Sequence, residues 1–116
     1  MRTSLGDMRD RLRFESRASV DDGYGNLVAG DWTEQFTRAA TIRQMKGGDE
    51  AVIAARLQGR VPVRIVVSSD SGTRQITHEW RAVDTRSSVV YAIKTVYDEE
   101  RRGQFITIDA VIGEAE

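Results

Sequence analysis

The sequence predicts a mainly β fold: a small six-stranded antiparallel β-barrel with one short helix inserted between the second and third strands. Three observations point there. Apolar and polar residues alternate over short runs, the period-2 pattern of strands with one buried face. Glycine, Asp, Asn or Ser clusters separate those runs at close intervals, as turns do in barrels and sandwiches. The chain has 116 residues, enough for one core and too few for two.

A short N-terminal arm, residues 1–10, precedes the first strand. There Leu12, Phe14 and Ser16 alternate with Arg11, Arg13, Glu15 and Arg17, which predicts a half-buried strand with a basic outer face. Asp21-Asp22-Gly23-Tyr24-Gly25-Asn26 supplies turn residues, including two that tolerate positive φ. It should be the loop of a long hairpin. The return strand runs from about Trp32 to Met45, with Trp32, Phe36, Ala40 and Ile42 on one parity. Gly47-Gly48 ends it. Asp49 can cap a short helix over Glu50 to Leu57, which Gly59 can close. Its apolar stripe, Ile53 and Leu57, is narrow, and so short a helix needs a partner surface to persist.

Val61, Val63, Ile65 and Val67 form the third strand, with Pro62 suggesting an edge or a first residue. Ser68 to Thr73 reads as loop. Trp80 to Asp84 is a short fourth strand, Val89 to Tyr97 the fifth, and Phe105 to Ile112 the sixth. Asp98 to Gly103 is a polar hairpin loop, and residues 113–116 are a frayed tail. The expected core is Leu12, Phe14, Trp32, Phe36, Ile42, Val63, Ile65, Ile93, Ile106 and Ile108.

Composition narrows the function. No cysteine is present, which excludes a disulfide framework, a thiolate zinc site and a cysteine nucleophile. Met1 to Arg17 lacks the apolar centre of a secretory signal, and no apolar run has the length of a membrane helix. A net charge of −1 argues against a nucleic-acid binder held by bulk charge. Of the 17 basic residues only Lys46 and Lys94 are lysine; arginine is the cation favoured at protein contacts.

No residues assemble into a convincing catalytic set, and no catalytic, metal or cofactor site is expected. His78 is the only histidine; Asp84, Ser87 and Ser88 lie near it in sequence, but no nucleophile-elbow motif is present. Asp21-Asp22 and Asp98-Glu99-Glu100 are acidic clusters in turn contexts without calcium-loop spacing. Gly23-x-Gly25 and Gly47-Gly48 lack the lysine or long helix of a phosphate cradle. The row Arg9, Arg11, Arg13 and Arg17 is more informative. It is a solvated face, a subunit contact, or a surface facing nucleic acid without sequence preference.

The order of features resembles the phage head–tail joining family of connector, stopper and adaptor proteins. The resemblance rests on an Arg-Leu-Arg-Phe strand at Arg11 to Phe14, the Gly23-Tyr24-Gly25-Asn26 loop followed by Trp32, and Ala40-Thr41-Ile42. It continues through Gly48-Asp49-Glu50 with its alanine-rich segment, Val63 to Val67, Val90-Tyr91-Ala92-Ile93, and the charged hairpin Asp98 to Arg102. One departure is Gln75 to Glu79, where the family has a Pro-Gly-like turn.

The resemblance implies a non-enzymatic virion component at the head–tail interface, present in the host cytoplasm during assembly. Its copies would form a hexameric or dodecameric ring, with a portal or adaptor protein above and a tail terminator or tail tube protein below. DNA would pass through without sequence specificity, and no membrane or cofactor is involved. The channel segment would be Met45 to Arg60, with Lys46, Asp49, Glu50, Ile53, Arg56 and Leu57 as candidates. Subunit or partner contacts would fall on Arg9, Arg11, Arg13, Arg17, Tyr24, Asp98, Glu99, Arg101 and Arg102. Two alternatives stand beside it. One is a small-barrel nucleic-acid binder stacking bases on Trp80, Tyr91 and Tyr97; the other is a tail-completion or terminator protein of similar shape.

Overall fold

Each alternating run of the sequence becomes a strand in the computed structural model, which describes residues 8–44, 57, 59–98 and 103–113. The strands are β1 (Asp10–Ser16), β2 (Ser19–Asp21), β3 (Leu27–Ala29), β4 (Thr33–Gln44), β5 (Val61–Ser68), β6 (Arg81–Asp84), β7 (Val90–Tyr97) and β8 (Phe105–Ile112). Six of them close into a barrel in the order β1-β4-β5-β8-β7-β6, and β2 and β3 form a separate two-stranded ribbon. All neighbours are antiparallel. The predicted barrel is therefore observed, with the ribbon added at the tip of the long first hairpin. The helix expected over Glu50–Leu57 falls outside the described residues except for Leu57.

Antiparallel closure sorts the connections into two ends. The N-terminal arm, the β4–β5 connection, the β6–β7 turn and the C-terminus leave from one end. The ribbon, the β5–β6 loop and the β7–β8 loop leave from the other. Two close contacts hold the first end together. The Thr85 amide donates to the Arg11 carbonyl at 3.1 Å, and Gly113, at φ 89°, passes so near Gly59 that an added Cβ would lie 2.6 Å from its carbonyl oxygen.

The barrel interior is filled by Leu12, Phe14, Ala40, Val63, Ile65, Val67, Ala82, Tyr91, Ile93, Ile106, Ile108 and Ala110, all buried. Phe14, Phe36 and Trp80 form a chain of tilted rings with centroids 5.5 and 5.7 Å apart, a favourable arrangement for aromatic quadrupoles. Of the expected core, Trp32 is the exception. It lies outside the barrel cluster, with the guanidinium carbons of Arg17 and Arg81 4.4 and 4.5 Å from its ring centroid. Parity placed it inward, but the register shift in β4 breaks that count. Phe14 faces Phe36 while Glu15 faces Glu34, so Gln35 is the extra residue of a bulge.

Pro62 does not mark an edge strand, since β5 is paired on both sides. It pairs with Val111 of β8, but the rungs to β4 begin only at Val63. A residue without an amide hydrogen is tolerated beyond the last rung. The stretch read as plain loop is an ordered plug. Thr73 is fully buried; its hydroxyl accepts from the Asp70 amide at 2.8 Å and donates to the Ser68 carbonyl at 2.8 Å. A 3-10 turn over Thr73–Gln75 follows and delivers Ile76 into the core.

Candidate functional site

The described surface has three distinctive regions: the ribbon, the groove at its base, and the arginine-bearing end of the barrel. In the ribbon, Ser19, Val20 and Asp21 pair with Ala29, Val28 and Leu27. The turn is built by its own carboxylates. Asp21 Oδ1 accepts from the Gly23 amide, and Asp22 Oδ1 from the Tyr24 and Asn26 amides, at 2.8, 2.8 and 3.3 Å. Gly23 and Gly25 take φ values of 88° and 84°, which a side chain would make costly. The Tyr24 amide is the main cause that holds the Asp22 carboxyl below its usual range. The tip therefore stays acidic. Tyr24 is 89% exposed, and Val20, Leu27 and Val28 are exposed with it. A ribbon this exposed has little packing of its own.

Beneath the ribbon lies a groove of about 380 Å³, lined among others by Leu27, Val28, Trp32, Trp80, Arg17 and Lys94. Arg81, which lines the groove, also belongs to a buried ion cluster. Glu15 is 7% exposed and accepts from Arg81 Nε at 2.6 Å and Arg13 Nε at 2.9 Å. Burial pushes its carboxyl up, but these two arginines outweigh burial and hold it below the ordinary glutamate range. Arg13 also reaches Glu34 at 3.8 Å, so it bridges the two glutamates that the bulge sets opposite each other.

These contacts divide the predicted arginine row. Arg13 is an ion-pair partner and Arg17 lies on Trp32. Arg9 and Arg11 are exposed and make no ion pair among the described residues. Arg86, exposed on the β6–β7 turn, sits beside Arg11 through the Thr85 contact. Tyr24 stands at the ribbon tip, remote from them, and Asp98 caps the β7–β8 loop by accepting from the Gly103 amide at 2.8 Å. Leu57 is 84% exposed. Lys46, Asp49, Glu50, Ile53, Arg56, Glu99, Arg101 and Arg102 lie outside the described residues.

Nothing brings the imagined catalytic groups together. His78 is exposed, while Asp84 Oδ1 accepts from the Arg86 and Ser87 amides. Among the described residues no cluster of His, Cys, Asp or Glu is arranged to hold a metal ion. The base-stacking platform is not available as drawn. Tyr91 is buried, with its phenol pushed up by burial first and then by Asp84 and Asp10, and Trp80 packs against the core. Sequence reasoning missed the exposed apolar ribbon and the Glu15 cluster. The signal for the first was present in Val20, Leu27 and Val28, apolar residues that flank the turn.

Comparison with known proteins fits this geometry. The family model of the phage head completion protein matches residues 3–113. A chain in the virion of a native gene transfer agent particle is 21% identical, with a TM-score of 0.59 over 87% of this chain and 90% of that one. Protein SF1141 from Shigella flexneri 2a, known from a solution structure, is 18% identical, with a TM-score of 0.66 over 98% of this chain and 100% of that one. At these identities the two structures show a shared fold. No curated protein matches the chain.

Proposed function

Because the chain belongs to the phage head completion protein family, we propose that this structural virion component works as a connector ring at the neck, between the portal and the tail. Copies of the barrel surround the channel through which DNA passes, a portal or adaptor protein sits above, and a tail terminator or tube protein sits below. DNA is contacted through phosphates alone, without sequence preference. The β4–β5 connection, residues 45–60, faces the channel.

One observation carries this reading. The barrel closes and fills its own core, yet among the described residues the large apolar side chains left exposed are Val20, Tyr24, Leu27, Val28 and Leu57. All lie on its end extensions and none on the barrel wall. A chain that acted alone would have no use for them, whereas a ring multiplies such small contacts into a stable assembly. The gene transfer agent particle supports the same role by fold.

Deleting Asp49 to Leu57 tests it. The shortened chain should keep the barrel's strand content and cooperative unfolding, while particles carrying it leak DNA or fail to join tails. Fully infectious, DNA-filled particles would show that the segment plays no part in the channel.

A further inference from the structure

Resting on that ring reading, we infer that the acidic β2–β3 ribbon of one copy docks on the arginine-bearing end of the next copy, with Tyr24 set against Arg9, Arg11 and Arg86. The occupant is a second copy of this chain, and charge complementarity argues for it. Residues 18–31 carry Asp21, Asp22 and Asp31 and no basic residue. At the opposite end Arg9, Arg11 and Arg86 are exposed and without an ion pair among the described residues. Two ribbons brought together would set carboxylate on carboxylate, and two arginine-bearing ends would set cation on cation. Asp10 and Asp84 lie at the arginine-bearing end too, but the three arginines outnumber them, so the unlike ends attract and the field between them would guide the copies together.

The apolar groups agree. Tyr24 is 89% exposed at the ribbon tip and offers a ring face to a guanidinium. Leu57, 84% exposed, lies two residues before Gly59, at the same end as the arginines. It gives Leu27 an apolar counterpart there. Exposed apolar groups thus stand at both ends of the molecule, each beside the charge that complements the other. The contact joins two different patches, so it is heterologous, the kind of contact that builds a ring when the rotation between copies closes.

The absence of cysteine from the chain permits a clean test. Full-length Tyr24→Cys and Arg86→Cys variants, distinguishable by a small tag, are co-expressed in the assembling host and the recovered particles are oxidised. The expected result is a disulfide-linked mixed pair, absent from particles built with either variant alone. A second arm uses Arg11→Glu with Arg86→Glu, which should lower the copies incorporated per particle by about tenfold or more while leaving the unfolding temperature unchanged. Tyr24→Cys copies linking to each other, or unaltered incorporation of the charge-reversed chain, would overturn the docking. Copy number, counted by quantitative mass spectrometry, separates the two claims. Several copies per particle without the mixed pair sinks the ribbon contact and spares the ring, while a single copy sinks both.

Discussion

Replacing Glu15 with alanine should destabilise the barrel by about 3 kcal/mol. Removing one member of a buried charge pair costs about 3–5 kcal/mol, because the partner is left uncompensated. Here the penalty is shared unequally. The Arg13 side chain is 36% exposed and can return to water, but Arg81 is only 18% exposed and is held over Trp32. Arg81 therefore carries most of the cost, which places the total near the lower bound. For a domain of this size that corresponds to a fall in Tm of about 12 °C, at about 4 °C per kcal/mol. Urea or thermal unfolding followed by circular dichroism at pH 7 reads it directly. A double-mutant cycle with Arg81→Ala should then give a coupling of about 1–3 kcal/mol. A Glu15→Ala midpoint indistinguishable from wild type, or zero coupling to Arg81, would refute the account of Glu15 as the cluster's centre.

Acidification should close the stability gap between wild type and Glu15→Gln. Glu15 binds its proton less readily when folded than unfolded, so its contribution is complete above the ordinary glutamate range and is lost as pH falls through the lowered folded value; a gap that stays constant from neutral pH to about pH 3 would contradict this. Phe14→Ala removes a fully buried ring that packs against Phe36 and should cost about 3–5 kcal/mol in denaturant unfolding; a cost below about 1 kcal/mol would mean the register of β1 is wrong. Thr73→Val keeps the shape but leaves the Ser68 carbonyl and the Asp70 amide without their partner, for a cost of about 1–3 kcal/mol, with faster amide exchange in the β5–β6 loop as the local signature. Unchanged exchange there would show that the hydroxyl does not pin the loop.

The barrel strands were legible because each has one dry face, and alternation reports a dry face directly. Leu12, Phe14, Val63, Ile65 and Ile108 needed nothing more. Trp32 was misplaced because a one-residue bulge at Gln35 flips the parity of everything that leads into it, Trp32 included, and no residue type announces such a bulge. Thr73 was invisible for another reason. A threonine in a polar stretch reads as loop unless its hydroxyl is known to satisfy two backbone groups. The arginine row was visible as a pattern, but its division into Arg13 and Arg17 on one side and Arg9 and Arg11 on the other depends on Glu15, Glu34 and Trp32. These come from different parts of the chain.

The join between β1 and β6 has a consequence for how the molecule is made. These strands lie some seventy residues apart in sequence and pair only from Leu12 to Glu15 against Asp84 to Arg81. Hairpins between sequence neighbours can zip early, but this junction waits for a long loop to close. Until it does, the chain is an open sheet with two raw edges, synthesised alongside other copies that carry the same edges. Strand exchange between such copies would yield tangled aggregates in place of finished subunits. A first strand bearing positive charge at Arg11 and Arg13, with Arg9 just before it, is poorly suited to add to another copy of itself. The carboxylate of Glu15, by contrast, draws in Arg81 on the correct partner strand. The charges that furnish the outer surface of the finished barrel thus also steer the last seam to close within one chain.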